Sequence, residues 1–363
     1  MQNIDTTMAP INKNNHIAIA KAIGIILMVV GHSGCPNTIS RFIYIFHMPL
    51  FFVFSGYFFK EVTTRGFLRA FTLKKINGLY LPYLKWSLLF LLLHNLFCSL
   101  NIYNALSNTY PYQINNYLIQ LRKILFMTDY ELLLRPFWFI KELLLSSLCV
   151  AAISLARQKY FSKLTNIHLL IITLLLALLF KRVHSIPLIG DVSLCLFSIA
   201  YIYSGMIFYQ LKHYISSSYK IIIATFIIVL IGCLFLNDTI DMRYINIYYL
   251  FPYYLLSLCG IILVYCISVR LERTPLKISL YYIGNHTFPI LALNLLALKI
   301  GNLIKILIYG MQIEKLSSYT VIHEYNSYYW IIYSIIGTGI PLLFYYIFSI
   351  NRKKTNKNCV FKK

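Results

Sequence analysis

Long apolar runs alternate with short polar breaks along this chain. Many of the runs approach the roughly 20 residues a helix needs to cross a bilayer's hydrocarbon. Ten such segments are expected, over 16–33, 40–59, 79–100, 137–156, 165–181, 191–211, 219–237, 247–269, 284–309 and 328–350. The longest connections between them are 101–136 and 310–327, and no internal repeat or low-complexity linker interrupts the series. Backbone groups in hydrocarbon must find partners within their own segment, so uninterrupted apolar runs of this length predict helices. The pattern thus predicts an all-α, polytopic helical bundle forming one integral-membrane unit over 1–363.

Composition supports this class. Only 12% of residues are charged, about half the usual share of a soluble domain. The formal net charge is +22, and its distribution explains most of it. With the N-terminus placed in the cytoplasm, the inner segments hold Lys13, the cluster Lys60, Arg65, Arg69, Lys74 and Lys75, then Arg157, Lys159, Lys163, Lys212, Lys220, Arg270, Arg273, Lys277 and a basic tail. The outer segments hold far fewer, among them Arg135, Arg243 and Lys315. This bias places both termini in the cytoplasm. It argues against nucleic acid as a partner, and the basic tail can meet anionic lipid. The first span has no basic segment before it and no small-residue cleavage site after it, so it reads as retained rather than as a leader. The eight cysteines are scattered without metal-ligand spacing, and no metal site is expected.

Two residues in the first span carry the chemistry. Lys21 and His32 are ionisable groups in an otherwise apolar helix, where charge is costly and is a functional candidate by default. Their spacing, at about 100° per residue, puts them on one helix face, roughly 16 Å apart in depth. A snorkelling lysine and an interfacial histidine are the other reading. The second span returns through Phe46-His47-Met48-Pro49-Leu50-Phe51-Phe52 to Ser55-Gly56-Tyr57 and brings His47 back to the depth of His32. Pro49 removes a helix hydrogen bond and frees a carbonyl. His47 is therefore either a second imidazole of a reaction centre or a structural partner for that carbonyl. Ser55 and Gly56 permit close helix approach. Cys35 lies near His32, where a thiol nucleophile is conceivable.

Lys21-x(10)-His32, followed by Phe46-His47-Met48-Pro49-Leu50-Phe51-Phe52-x-Phe54-Ser55-Gly56-Tyr57, resembles the membrane acyltransferase-3 family, bacterial O-acyltransferases that modify cell-surface sugars. The lysine form is similar to the branch with fucose 4-O-acetylase-like proteins, most other members having arginine there. Lys74-Lys75 before Leu81-Pro82-Tyr83, Pro136-Phe137-Trp138-Phe139, and Tyr282-Ile283-Gly284-Asn285-His286-Thr287 before Ile290-Leu291-Ala292-Leu293-Asn294 extend the resemblance over nearly the whole chain. It departs at Asn294, where many relatives have histidine. Asparagine cannot act as a base, so that position is orienting or substrate-binding, or its usual role is lost. His286 lies on a different face and does not replace it.

The resemblance implies O-acyl transfer, acetyl above all, from an acyl-CoA to a hydroxyl of a cell-surface or lipid-linked sugar, in the bacterial inner membrane and with no bound cofactor. Such transfer needs a base for the hydroxyl proton and donors for the oxyanion. His32 and His47 fit the first task. Lys21 is a candidate for an anionic part of the donor, and Lys74 and Lys75 for the phosphates of coenzyme A, although ordinary inner-side anchoring accounts for these two as well. Trp138 and the tyrosines Tyr103, Tyr110, Tyr112, Tyr117 and Tyr130 are candidates for stacking on sugar, or belong to an interfacial aromatic belt. Glu142 is a candidate partner for the buried lysine, or pairs with Lys141 or a neighbouring helix. Asn294 is expected to face the same cavity as His32. Two other readings share these features: a transporter or flippase of lipid-linked glycans, and a non-catalytic member of the family.

Overall fold

The computed structural model describes residues 15–182, 187–215, 217–236, 241–325 and 328–360, with 187–191 and 350–360 as backbone only. Lys13 and the side chains of the basic tail lie outside the described residues. Fourteen α-helices and no strand occur among them: α1 Asn15–His32, α2 Asn37–Tyr57, α3 Arg65–Lys75, α4 Leu81–Leu92, α5 His94–Ser99, α6 Ile114–Leu125, α7 Trp138–Tyr160, α8 Asn166–Arg182, α9 Pro187–Leu211, α10 Tyr219–Phe235, α11 Ile247–Leu271, α12 Lys277–Asn285, α13 Thr287–Tyr309 and α14 Trp330–Val360. The chain is an all-α, polytopic helical bundle.

Every expected apolar segment is helical, but they are not equivalent. Among the described residues, seven stretches are long and apolar enough to cross a membrane, within α1, α2, Leu132–Tyr160, α9, α11, α13 and α14. Helices α8 and α10 have 17 residues each. The segment expected at 79–100 breaks at Leu93 into α4 and α5, after a π-turn at Ile76–Tyr80. The long connection 101–136 contains α6, an amphipathic helix absent from the apolar pattern. Ile114, Leu118 and Ile119 of α6 are exposed, while Tyr80 and Tyr83 donate hydroxyl hydrogen bonds of 2.9 Å to the carbonyls of Leu125 and Ile124. Those carbonyls end a helix and have no partner within it, so the tyrosines cap α6 against α4.

Helix α1 occupies the middle of the bundle, touching α2, α11, α12, α13 and α14, while α2 packs on α7, α9, α10 and α11. Small residues set this arrangement. A Cβ on Gly56 of α2 would stand 1.9 Å from the Ile202 carbonyl oxygen of α9, and one on Gly205 would stand 1.9 Å from the carbonyl oxygen of Val53. The two backbones therefore meet directly, as small-residue contacts in membranes allow. Gly284 of α12 approaches the Ala18 carbonyl of α1 in the same way. These contacts set the register of α2 on α9 and of α12 on α1.

Straps close the His32 end. Lys299 and Lys305, both buried in α13, donate to the carbonyls of Ser318 (2.6 Å) and Ile322 (2.9 Å). Asn302 between them accepts from the Ile322 amide at 3.1 Å and from the Tyr333 hydroxyl at 2.7 Å. The segment so held brings Val321 and His323 against Gly34, whose φ of +75° suits glycine. On the other flank His94 sits 2.9 Å from Glu131, stacks on Tyr112 at 3.4 Å, and bonds the Tyr110 carbonyl at 3.0 Å.

Candidate functional site

His32 ends α1 and His47 lies in α2, and the short turn between these helices brings both rings to one cavity. His47 is buried, and its Nδ1 lies 2.9 Å from the Ile43 carbonyl. A carbonyl only accepts, so Nδ1 carries the proton and Nε2 is left as the basic nitrogen. The carbonyl freed by Pro49 belongs to Ile45, one helical repeat before the proline. His47 does not serve it, so the purely structural reading of this histidine loses its stated partner. The Tyr44 ring packs edge-on to His47 at 4.9 Å. Gly31 makes room for it, since a Cβ there would stand 2.9 Å from the Tyr44 ring. His32 itself is half-buried, and no hydrogen bond to its ring occurs among the described residues.

Met28, Met48, Pro136, Trp138, Asp241, Met242, Arg243 and Leu291 complete this cavity, the outer one with respect to the Lys21 end of α1. Trp138 arrives through a 3-10 turn at Leu132–Phe137 that contains Pro136. Arg243 lies over the Trp138 ring at 4.9 Å and over Tyr244 at 4.9 Å. Asp241 grips the same guanidinium, with Nη2 2.6 Å and Nε 3.1 Å from its Oδ2. Tyr44, Asp241 and Arg243 were missed from sequence. The available signal was modest: Asp241-Met242-Arg243 is a charged pair in a break assigned to the His32 side.

Beneath this cavity lies a second one, walled by Lys21, Ile25, Phe51, Phe54, Ser55, Phe139, Thr287 and others. Met28, Met48 and Leu291 line both, so the two spaces are stacked along α1. The inner space is about 250 Å³ and the outer about 30 Å³. The outer one thus holds little more than one or two waters. Lys21 faces the inner space without an ion pair or hydrogen bond among the described residues. A second opening beside it is lined by Asn15, Tyr281 and Asn285.

A third space continues from there. Lys60, Lys74 and Lys75 line a groove with Phe67, Phe71 and Gly78, and this groove shares Phe54, Ser55, Phe58, Leu79 and Leu143 with the Lys21 cavity. The Lys75 Nζ donates to the Ser55 hydroxyl at 3.3 Å and lies 5.4 Å from the Phe71 ring centre. Burial, reinforced by the charge of Lys74, pushes the Lys75 ammonium down to about 8. Three basic side chains, an apolar passage with one lysine, and two imidazoles therefore follow one another along connected walls.

Four expectations need correction. Asn294 does not line the cavity of His32. It is fully buried one layer behind, with Nδ2 3.4 Å from Met28 Sδ and 3.3 Å from the Leu291 carbonyl, while Oδ1 has no partner among the described residues. Thr287 on the same face does reach the inner cavity, but two turns further on Met28 intervenes. Glu142 is buried outside the cavity walls, toward Cys195 of α9, and makes no ion pair with Lys21. The cause is angular: Phe139, Ile140 and Leu143 form the cavity-facing side of α7, and Glu142 falls off it. Of the five tyrosines in 101–136, only Tyr110 is exposed, because Tyr103, Tyr112 and Tyr130 pack against Phe97, His94 and Tyr83 of α4 and α5, and Tyr117 packs on Tyr112. Cys35 is also outside the outer cavity's walls, and burial pushes its thiol up to about 11, so it is no thiolate at neutral pH.

No curated protein and no solved structure matches the chain. One family does: its model, described as an acyltransferase domain, matches residues 14–346, which includes every candidate residue above. With that match over nearly its whole length, the chain belongs to the acyltransferase-3 family and is a membrane acyltransferase.

Proposed function

We propose that this protein transfers an acyl group, acetyl in the first instance, from acyl-CoA to a hydroxyl of a cell-surface or lipid-linked sugar. The observation that carries this reading is the run of neighbouring spaces with shared walls, from Lys60, Lys74 and Lys75, past Lys21, to His32 and His47. The phosphates of coenzyme A sit against the three lysines as anions on point charges. Its pantetheine arm follows the apolar passage past Lys21, and the thioester reaches the histidines. One imidazole takes the proton of the acceptor hydroxyl, the oxygen adds to the acyl carbon, the carbon–sulfur bond breaks, and the proton passes to the departing thiolate. The acceptor approaches at the end closed by Trp138 and Arg243, the outer side if both termini are cytoplasmic.

The narrowness of the outer space, about 30 Å³, speaks against a flippase, because a glycan does not pass through it. An unpaired lysine and two imidazoles open to one passage likewise favour an active member over a degenerate one. Thiol release from acetyl-CoA by the purified protein, with methyl glucoside as a surrogate acceptor, tests the reading. Release with acetylation of the glycoside, abolished in His32→Ala while the protein still accumulates in membranes, is the expected result. Normal transfer by the His32→Ala protein would remove His32 from the reaction.

A further inference from the structure

The outer cavity contains a group that neither the sequence motifs nor base catalysis accounts for. Arg243 is the one permanent cation among its lining residues. Its guanidinium is held in place from two directions. Asp241 occupies Nε and Nη2, at 3.2 and 3.1 Å for Nε and 2.6 Å for Nη2, and also accepts from the Arg243 backbone amide at 2.9 Å. The Trp138 face fixes the plane at 4.9 Å. Nη1 makes no hydrogen bond among the described residues, which leaves one N–H edge of a rigidly held fork unengaged, on a residue that lines the same cavity as both histidines.

Transfer generates negative charge at a defined point. When the acceptor oxygen adds to the thioester, the carbonyl oxygen becomes an oxyanion and must be met by donors already in position. Resting on the acyl-transfer reading, we propose that Arg243 is a catalytic residue that donates through Nη1 to this oxyanion, and that Asp241 is its positioning residue. The balance is complete. The hydroxyl proton goes to an imidazole, the carbon–oxygen bond forms, and the oxyanion rests on Arg243. It then collapses as the carbon–sulfur bond breaks, and the thiolate takes the proton. A guanidinium suits this task because it stays charged and its geometry is fixed. Asp241 supplies a second benefit: it offsets the charge of Arg243 beside the imidazoles, so the resting cavity is not made hostile to a protonated base.

The test uses the purified full-length protein with acetyl-CoA and methyl glucoside, reading kcat and KM separately. Arg243→Gln should lower kcat by about 10²–10³-fold, the usual cost of one oxyanion donor, with KM for acetyl-CoA within threefold of wild type. Arg243→Lys, which keeps the cation and guards against a folding artefact, should lose less kcat than Arg243→Gln. Guanidinium ion should restore part of the activity of Arg243→Ala, a rescue that a purely structural role would not give. Asp241→Asn should lower kcat and leave KM unchanged. A kcat within threefold of wild type in Arg243→Gln, an effect on KM alone, or no guanidinium rescue in a protein that retains its thermal transition would overturn the assignment. If the wild-type protein releases no thiol and acetylates no glycoside, the acyl-transfer reading fails first; activity in wild type with an indifferent Arg243 defeats this inference alone.

Discussion

His47 Nδ1 donates to the carbonyl of Ile43 at 2.9 Å, within its own helix, and this contact decides which nitrogen of the ring is the base. A buried imidazole with Nδ1 committed presents Nε2 in one tautomer, the arrangement that second partners impose on functional histidines elsewhere. The ring needs no partner from another helix to stay oriented.

This gives a first prediction. His47→Asn retains an amide that can donate to Ile43 but offers no base. Thiol release from acetyl-CoA should fall by about 10²–10⁴-fold, the span of general-base contributions, with unchanged membrane accumulation. Activity within a few-fold of wild type would leave His32 as the only imidazole in the reaction.

Lys21 gives a second. It lines the inner cavity without an anionic partner among the described residues, so its charge is available to the donor. Lys21→Arg should keep appreciable transfer activity, and Lys21→Met should lose most of it, measured as acetylated glycoside per mole of protein. Full activity of the methionine protein would mean that Lys21 only snorkels.

The third concerns pH and the basic groove. Lys75, pushed down to about 8, is charged below that pH and neutral above it. Binding of an anion there must therefore weaken as pH rises through 8. Calorimetric titration with coenzyme A should show affinity falling by up to about tenfold between pH 7 and pH 9, as the charged fraction of one such group falls. Lys75→Arg, which does not titrate in this range, should flatten the curve. A flat wild-type profile would place the phosphates away from Lys75.

Asn294 supplies the fourth. Its Oδ1 is buried without a partner and its Nδ2 reaches only Met28 Sδ and the Leu291 carbonyl. Replacing an under-satisfied polar group with an apolar one of similar shape costs little. Asn294→Leu should therefore keep its thermal transition and most of its activity, whereas Asn294→His, a larger ring against Met28, should overpack by about 1–3 kcal/mol. A tenfold activity loss in the leucine protein would return Asn294 to the reaction centre.

Helix existence was legible in the apolar runs because backbone satisfaction in hydrocarbon is a local demand that each segment meets alone. The pairing of Lys21 with His32 along one face followed from helical periodicity, and the return of His47 from the shortness of the turn. The family was readable from the same two segments. What the sequence could not display was register between helices. The direct backbone contacts at Gly56 and Gly205, and at Gly284 and Ala18, set which residues of different helices share a wall. The packing as a whole puts Met28 beside Asn294, leaves Glu142 off the cavity-facing side of α7, and gives the Lys21 cavity walls in common with both the lysine groove and the histidine cavity. It also brings Trp138 under Arg243, two residues more than a hundred positions apart. Periodicity assigns a side chain to a face of its own helix, and only packing decides what that face meets.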